Sequence, residues 1–427
     1  MNFTQNERLN QVTTETLVIG VDIGSETHYA RAFDWRGREL GKVFRFANNG
    51  EGFGQFNAWI ESLSEKTAKS NVMVGAEPTG HYWFSLASYL KDRDIRLVLV
   101  NPYHVKQCKE LDDNHPSKTD RKDPKTIAKL VIDGRYNVPY IPEGIYAELR
   151  IAMNCRERIV RELVVIQNRI ERWLKIYFPE YHEVFKDFEA QSSLLILSTM
   201  PMPADVIKAG VDGINQLWRQ NKLRAVGMRR ALTLYETAKH SMGCTEGSGA
   251  ARMEIRLLLE DYYTKKAQYD GVMAVVEELC MQIPAVQKLL AIKGIGILTV
   301  AGFFAEAGDL GRFQSPKQIQ KLAGLAIREN SSGKHRGQSG ISKRGRRRLR
   351  AILFRAVLPL VATNKEFADI HNYYTSRKDN PLKKKQSLIA LCCKLIRVFF
   401  ALATKDEDYD PVRLLGDIRH PAAAVAA

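Results

Sequence analysis

The sequence predicts an α/β domain followed by a longer, mostly α-helical region, and three observations lead to this fold class. Segments rich in Val and Ile alternate with segments of helical spacing over residues 16–135. From about residue 145, apolar residues recur at alternating intervals of four and three, as in long paired helices. The last third, residues 283–405, is helical in pattern and strongly basic. A chain of 427 residues is long enough for at least two domains.

The elements of the α/β domain follow one another with short connections. Three strands come first, the second and third joined across a turn at Gly37, and helices then alternate with two further strands. The predicted strands are 16–23, 29–34, 40–46, 72–77 and 95–100, and the predicted helices are 53–66 and 83–91. This order predicts a mixed sheet of the ribonuclease H kind.

Two long helices are predicted next, within residues 143–185 and 251–284. The first has the apolar positions Ile159, Leu163, Ile166, Ile170, Trp173 and Tyr177. The second has Ile255, Leu259, Tyr262, Tyr269, Met273, Val276, Cys280 and Ile283. We call each of these lines of apolar positions a seam; Arg156 interrupts the seam of the first helix, and Lys266 interrupts that of the second. The spacing fits a coiled-coil-like antiparallel pair or two ordinary bundle helices.

The segment between the long helices, residues 186–250, is less regular and ends in GCTEGSGA. A Gly- and Ser-rich stretch of this kind is typical of a flexible link, so the segment is expected to be a small inserted domain of unknown role. Residues 285–410 are expected to form a helical C-terminal domain, and residues 411–427 a tail.

The charge balance predicts a polyanionic partner. Lys and Arg exceed Asp and Glu by 16, which favours nucleic acid over a membrane surface. The most apolar late segment carries Lys394 and Arg397, and the polar N-terminus lacks a signal-peptide core, so no membrane partner and a cytoplasmic location are expected. The six cysteines show neither paired nor zinc-type spacing and are interpreted as reduced thiols.

Four acidic residues occur where such a fold brings side chains together. Asp22 ends the first strand in VIGVDIGSE, and Glu77 ends a later strand in VMVGAEPTG. Asp120 and Asp123 lie in KTDRKDP, at the start of a helical pattern. Converging carboxylates suit Mg²⁺ (or Mn²⁺), which prefers oxygen ligands and leaves positions open for phosphate. Taken singly, an acid at the end of a strand is more often a turn former or a helix cap, so the metal-site interpretation depends on the combination of the four.

The order VDIGSETH, AEPTGHYW, VNPYHV and KTDRKD resembles the DEDD transposases of bacterial insertion sequences, the IS-one-ten family, whose N-terminal domain is similar to RuvC junction resolvases. The resemblance implies a RuvC-like catalytic domain over residues 1–142. The family's four acids would fall on Asp22, Glu77, Asp120 and Asp123. Lys118 is expected to contact a phosphate. Pro124 replaces the usual Ala and disfavours helical geometry before it, so Asp123 is expected at a helix N-cap.

A second set of motifs lies near the C-terminal end. Gly294 and Gly296 in AIKGIGILTV predict either a helix-hairpin-helix turn that faces a phosphate or a plain tight turn. The densest basic run follows in SKRGRRRLR, and it predicts phosphate contacts or a solvated helix face. The cations of this run are Lys343, Arg344, Arg346, Arg347, Arg348 and Arg350.

This C-terminal region is similar to the transposase domain of the same family. The resemblance implies that a serine before a glycine, shortly after the AGL motif, is the nucleophile; it falls on Ser332, with Ser331 and Ser339 as alternatives. Ile327 stands where the family commonly has proline. The resemblance implies that metal-bound carboxylates activate the serine, that a covalent phosphoserine forms on DNA, and that its reversal joins new ends.

The same resemblance implies the partners: donor and target DNA and a structured guide RNA, the bridge RNA. Exchange between two duplexes requires up to four strand breaks, so a homodimer or homotetramer is expected. The expected location is the bacterial cytoplasm, in association with the nucleoid.

Other classes of protein remain open at this point. A metal-dependent junction nuclease would use water and need no serine. An actin-like kinase or ATPase would explain VDIGSETH, but a second glycine-rich phosphate hairpin is not recognisable. A catalytically inactive DNA-binding protein would leave the four acids unexplained. A tyrosine recombinase using Tyr373 or Tyr374 lacks recognisable Arg and His partners.

Overall fold

The computed structural model describes residues 4–112, 123–328, 331–332, 335–336, 340–405 and 407–419. For residues 109–112, 331, 332, 335, 336, 417 and 419 it describes the backbone alone. The chain divides into two compact units, Met1–Ile141 and Pro142–Ala427.

The first unit is built around a six-stranded sheet. Its strands are β1 (Thr16–Asp22), β2 (Thr27–Phe33), β3 (Phe44–Ala47), β4 (Asn71–Ala76), β5 (Arg96–Val100) and β6 (Tyr136–Asn137). In the order β3-β2-β1-β4-β5-β6, the β1-β4 and β4-β5 pairs are parallel and the other pairs antiparallel. The predicted mixed sheet is therefore confirmed. The two-residue strand β6 was not predicted, because it is too short to show a periodic pattern.

Helices cover both faces of this sheet. They are α1 (Gln5–Leu9), α2 (Gly50–Thr67), α3 (Trp83–Lys91), α4 (Pro102–Asp112) and α5 (Asp123–Ile132). On one face Ile19 of β1 shares an apolar cluster with Phe56 of α2. On the other face Val18 of β1 packs in a cluster with Ile127 of α5. Because both faces are buried, β1 has a continuous apolar sequence rather than an alternating one.

The second unit contains two long antiparallel helices. They are α6 (Gly144–Tyr177) and α11 (Ser248–Met281). The indole Nε1 of Trp173, near the end of α6, donates a hydrogen bond to the carbonyl of Ala251 near the start of α11, at 2.9 Å. Further along the pair, Lys265 Nζ lies 2.6 Å from Glu162 Oε2.

The two residues that interrupt the seams in the sequence meet at one level of this helix pair. The guanidinium of Arg156 lies 5.4 Å, and the ammonium of Lys266 5.1 Å, from the ring centroid of Tyr269. On one side of this level Met153 belongs to one apolar core. On the other side Ile159 belongs to a second core. The seam is therefore polar where the two cores of the unit meet.

Four helices occupy the segment between α6 and α11. They are α7 (Tyr181–Val184), α8 (Gln191–Thr199), α9 (Pro203–Gln220) and α10 (Met228–Lys239). Ile196, Trp218 and Leu234 of this segment belong to the same core as Ile159 of α6. The segment therefore packs onto the long helices rather than around a core of its own. Helix α9 is interrupted at Gly210, where φ is 67°.

The remaining chain is helical apart from two short antiparallel ladders, as predicted. Its helices are α12 (Ala285–Leu290), α13 (Ile297–Ala307), a 3₁₀ turn at Leu310–Arg312, α14 (Pro316–Leu322), α15 (Arg347–Thr363), α16 (Lys365–Ser376), α17 (Lys384–Thr404), α18 (Pro411–Leu414) and α19 (Gly416–Arg419). The short strands are β7 (Ile327–Arg328), β8 (Ser331–Ser332), β9 (His335–Arg336) and β10 (Gly340–Ile341). Phe303 of α13, Leu353 of α15 and Phe399 of α17 lie in one core.

By length and composition alone, α17 would pass as a membrane-crossing helix, as would α8 and α9 together across a bend of 117°. Leu391, Leu395 and Phe399 of α17 are fully buried in the apolar core of the second unit. Core helices of ordinary globular proteins pass the same test. The apolar length of α17 is therefore accounted for by packing within the protein.

Candidate functional site

Asp22 and Glu77 come at the carboxyl ends of two neighbouring strands of the sheet. Asp22 is the last residue of β1, and Glu77 directly follows the last residue of β4. The two strands are parallel neighbours with Val21 opposite Ala76, so Asp22 and Glu77 are the next residues of these strands at the same level. Residues in register on parallel strands have their side chains on the same face. Both carboxylate residues are half-buried.

Helix α5 begins against the same strand. A Cβ on Gly20 would lie 1.8 Å from the carbonyl oxygen of Pro124 and 2.9 Å from the nitrogen of Ala128, so only glycine permits this approach. Asp22 follows Gly20 by two residues in β1, so both residues lie on the same face of the strand. Asp123 is the first described residue of α5, and it is half-buried. Pro124 occupies the first turn, where its missing N–H has no intrahelical acceptor.

The other two predicted residues of this site, Asp120 and Lys118, lie outside the described residues. Within the described part of the chain, no group of three or more His, Cys, Asp or Glu side chains is arranged to hold a metal ion. Mg²⁺ is usually held by one or two carboxylates together with waters and phosphates. The oxygen donors of Asp22 and Glu77 therefore fit Mg²⁺ or Mn²⁺ as first ligands, without forming a complete all-protein cage.

The turn after Asp22 is held by two residues that the sequence analysis missed. The backbone N–H of Gly24 donates to Nδ1 of His28 at 3.2 Å. Asn48 donates to the carbonyl oxygens of the two residues after Gly24, at 3.0 Å from its side chain and 2.8 Å from its backbone. A Cβ on Gly24 would lie 2.3 Å from the carbonyl oxygen of Thr27, so the turn also requires glycine there.

His28 is a neutral, buried side chain. It packs between Phe46 and Phe53, with ring centroids at 5.1 and 6.1 Å. Burial lowers the pKa of His28 below its usual 6.5, and the side chain of Asn48 partly offsets this shift. A signal for it exists in the sequence: the alternation in β2 gives His28 the same buried face as the small residue Ala30.

The structure divides the basic run of the C-terminal region into two groups. Lys343, Arg344 and Arg347 are exposed. Arg346, Arg348 and Arg350 are half-buried and bond to the protein itself. The first group therefore remains available for phosphate, whereas the second is engaged within the fold.

Glu306 of α13 is the centre of the second group. Its buried carboxylate lies 3.4 Å from Arg346 Nη1 and 3.5 Å from Arg348 Nε. Arg348 also bonds to Glu157 and Asn154 of α6. These arginines connect α6, α13 and α15, because a buried carboxylate needs charged or hydrogen-bonding partners.

The two predicted glycines of the turn before α13 have different surroundings. Gly294 has φ +96°, and a Cβ there would lie 2.6 Å from Thr363 Oγ1, so it serves close packing against the end of α15. Gly296 is the N-cap of α13, no side chain caps it, and no atom lies within 4 Å of where its Cβ would be. The N-terminus of α13 is thus accessible to a phosphate.

Ser332 is the last residue of β8. It lies opposite His335 in the ladder with β9, and β7 pairs with β10 in the same antiparallel sense, with Ile327 opposite Ile341. The segment that contains Ser332 therefore contributes two short ladders between α14 and α15. Of the alternative serines, Ser331 is its neighbour in β8, and Ser339 lies outside the described residues.

Two family models match the chain. Residues 19–179 match the DEDD model of IS110 elements, which is described as a transposase. Residues 286–374 match the model described as transposase, IS116/IS110/IS902 family. The first match contains all four predicted acids, and the second contains Ser332 and the basic run.

Several known proteins are similar to the chain over most of its length. A pilin gene-inverting protein of Moraxella lacunata is 24% identical over 397 residues, which cover 92% of this chain and 97% of the relative. The transposase for insertion sequence element IS1111A of Coxiella burnetii is 26% identical over 399 residues, which cover 92% and 91%. An uncharacterized 44.8 kDa protein of insertion element IS116 from Streptomyces clavuligerus is 22% identical over 396 residues, which cover 92% and 96%.

These matches define a transposase, an enzyme of DNA transposition and recombination. The two family models together account for more than half of the chain, in the same order as the two motif sets. The chain belongs to the IS110/IS116 family of transposases.

Proposed function

We propose that this transposase cuts and rejoins DNA by using a metal-bound carboxylate site in its first unit and Ser332 as the nucleophile. The observation that carries the proposal is the parallel register of β1 and β4, in which Asp22 and Glu77 follow residues that are paired with each other. The three antiparallel strands followed by two parallel ones support a RuvC-like, ribonuclease H-like domain.

The proposed ligands of Mg²⁺ or Mn²⁺ are Asp22, Glu77, Asp120 and Asp123. When bound, such an ion stabilises the charge that develops on the oxygens of a reacting phosphodiester. The carboxylates themselves bind and orient the ion, and their mutual repulsion makes the site a strong attractor of divalent cations. Lys118 is proposed to contact a phosphate, and the N-terminus of α13 at Gly296 is proposed as a separate phosphate contact in the second unit.

Ser332 supplies a covalent step that conserves the phosphodiester bond. Its Oγ loses a proton and forms a bond to phosphorus, while the bond from phosphorus to one bridging oxygen of the DNA breaks. The leaving oxygen takes up a proton and becomes a terminal hydroxyl. The hydroxyl of a partner strand then attacks the same phosphorus and releases the serine. The number of phosphodiester bonds is unchanged, so joining needs no external energy source.

The proposed partners follow from the family resemblance and from the exposed charges. Donor and target DNA are the substrates, with a structured bridge RNA to select them, in the bacterial cytoplasm at the nucleoid. Lys343, Arg344 and Arg347 supply contacts to phosphates. A homodimer or homotetramer would provide the residues for up to four strand breaks. The pilin gene-inverting relative supports DNA inversion as one form that such an exchange can take.

The test of the carboxylate site is removal of single charges. Asp22→Asn and Glu77→Gln are expected to lower the rate of DNA strand cleavage by roughly 100-fold or more, because several kcal/mol of transition-state stabilisation depends on the ion. Glu65→Gln and Asp94→Asn, which change exposed acids of the same unit, serve as controls and are expected to keep the parent rate. Parent-like cleavage by both site variants would overturn the proposal.

A further inference from the structure

A group of exposed cations lies at one end of the α9–α10 helical hairpin. Its members, which we call the hairpin patch, are Arg219, Lys222, Arg224, Arg229 and Arg230. The 17 residues from Arg219 to Tyr235 contain no Asp or Glu. The patch lies in the segment between the two long helices, to which neither motif set assigns a role.

The fold brings these cations together from two helices and their connection. Arg219 lies in the last turn of α9, and Arg229 and Arg230 lie in the first turn of α10. A Cβ on Gly227, the N-cap of α10, would lie 3.0 Å from Nη2 of Arg219. The guanidinium from the end of α9 therefore lies against the start of α10, and it donates to the carbonyl of Leu223 at 3.4 Å. The guanidinium of Arg230 lies 5.9 Å from the ring centroid of Phe185.

Within the described part of the chain, the charges of the patch are not paired with carboxylates. Among the residues that the structure describes, no carboxylate forms an ion pair with a member of the hairpin patch, although ion pairs form elsewhere in the same segment. Asp205 lies 2.7 Å from Arg252, and Glu236 lies 3.4 Å from Lys239. Cations in the first turn of a helix oppose its dipole. The stability of α10 therefore does not explain this arrangement, whereas a polyanionic partner would.

We propose that the hairpin patch binds the phosphate backbone of a nucleic-acid duplex. Exposed Lys and Arg side chains contact phosphates without reading bases. Proteins that bind single strands usually stack the bases on exposed aromatic rings, whereas Trp218 and Phe185, two rings beside the patch, are buried. The patch would thus anchor a duplex on the helical segment, at a place remote in sequence from the exposed cations Lys343, Arg344 and Arg347.

The test removes three charges of the patch whose side chains form no hydrogen bond or ion pair with the residues that the structure describes. The patch variant is Lys222→Gln, Arg224→Gln and Arg229→Gln in the full chain. The control variant, Lys175→Gln, Lys186→Gln and Lys208→Gln, removes three exposed charges outside the patch in the same unit. Binding of a labelled DNA duplex, a labelled RNA hairpin and a labelled oligo(dT) strand is measured by fluorescence anisotropy at several salt concentrations.

The patch variant is expected to lose roughly 2 to 3 units from the slope of log K against log salt concentration for a duplex, because each phosphate contact contributes about 0.9. The DNA and RNA arms show which duplex is bound. The control variant and a charge-retaining variant, Arg224→Lys with Arg229→Lys, are expected to keep the parent slope. Equal slopes for patch and control variants on both duplexes, or a change with oligo(dT) alone, would overturn the inference. Strand cleavage is measured separately, so failure here leaves the carboxylate test intact.

Discussion

His28 and Asn48 fix the backbone path of the turn that follows Asp22. The acceptor Nδ1 of His28 binds the N–H of Gly24, and Asn48 binds the two carbonyls that come next. The backbone at the end of a strand determines how a metal ligand there is oriented. Residues that do not bind the metal themselves commonly hold this backbone in place by hydrogen bonds. At the residue scale, His28 is therefore a positioning residue for the proposed site.

This role predicts that an acceptor at Nδ1 matters more than the imidazole itself. His28→Phe keeps an aromatic ring against Phe46 and Phe53 but removes the acceptor, and it is expected to weaken Mg²⁺-dependent cleavage by about 10- to 100-fold. His28→Asn offers an amide oxygen close to the position of Nδ1 and is expected to recover most of the loss. The Mg²⁺ concentration for half-maximal cleavage is the readout; equal defects in both variants would contradict the role.

The lowered pKa of His28 adds a pH signature to this prediction. The unfolded chain, with a pKa near 6.5, binds more protons than the folded chain between the two pKa values. The contribution of His28 to the free energy of unfolding is therefore complete above pH 6.5 and is lost as the pH falls towards the folded pKa. The free energy of unfolding changes with pH by at most about 1.4 kcal/mol per pH unit through this group. His28→Phe is expected to lack this slope in urea unfolding.

The residue scale also shows the limit of sequence reasoning. Asp22 and Glu77 could be proposed from the sequence because each comes at the end of a segment with a clear β pattern. The basic run looked uniform in the sequence, but Arg346 and Arg348 are engaged by Glu306, which lies about forty residues earlier. Such pairing depends on how α13 and α15 pack, and no local pattern reports it.

At the element scale, the long helices were predictable because their apolar positions repeat over many turns. Their antiparallel arrangement was only one of the alternatives, since the spacing within each helix does not define its partner. The hairpin strands β7 to β10 are two residues each and gave no periodic signal. The interruption of both seams becomes interpretable only in the fold, where Arg156 and Lys266 meet at Tyr269.

The polar position of Arg156 in the α6–α11 helix pair predicts that an apolar substitution there stabilises the protein. Within the described chain, Nε of Arg156 is buried with no hydrogen-bond partner. Arg156→Leu removes this donor and extends the apolar seam, so it is expected to raise the free energy of unfolding by about 1 kcal/mol, despite the loss of a weak cation–π contact. Urea unfolding followed by far-ultraviolet circular dichroism measures the change.

A matched control comes from the same helix. Ile166→Ala removes a buried seam residue and is expected to lower the free energy of unfolding by about 2 to 5 kcal/mol. If Arg156→Leu lowers stability to a similar extent, the arginine supports the junction of the two cores rather than weakening it.

At the scale of the whole molecule, the two motif sets belong to different units. The proposed carboxylates belong to Met1–Ile141, and Ser332 and the basic run belong to Pro142–Ala427. The proposed reaction therefore uses residues of both units, from one chain or from two copies.

The net charge of the whole chain pointed to nucleic acid but did not distinguish DNA from RNA. The family became recognisable through the order of the motifs. The cations of α9 and α10 were overlooked because they are spread over two helices and a connection.

The most direct test of the account is the search for a covalent protein–DNA adduct. The parent protein and Ser332→Ala are each incubated with the flanking RNA of the element, donor and target DNA and Mg²⁺, and separated on a denaturing gel with and without protease. Ser331→Ala and Ser339→Ala serve as neighbouring controls. If Ser332 is the nucleophile, a protease-sensitive adduct forms with the parent protein and is lost with Ser332→Ala alone. An adduct that persists in Ser332→Ala, or DNA that is cut by the parent without any adduct, would contradict it.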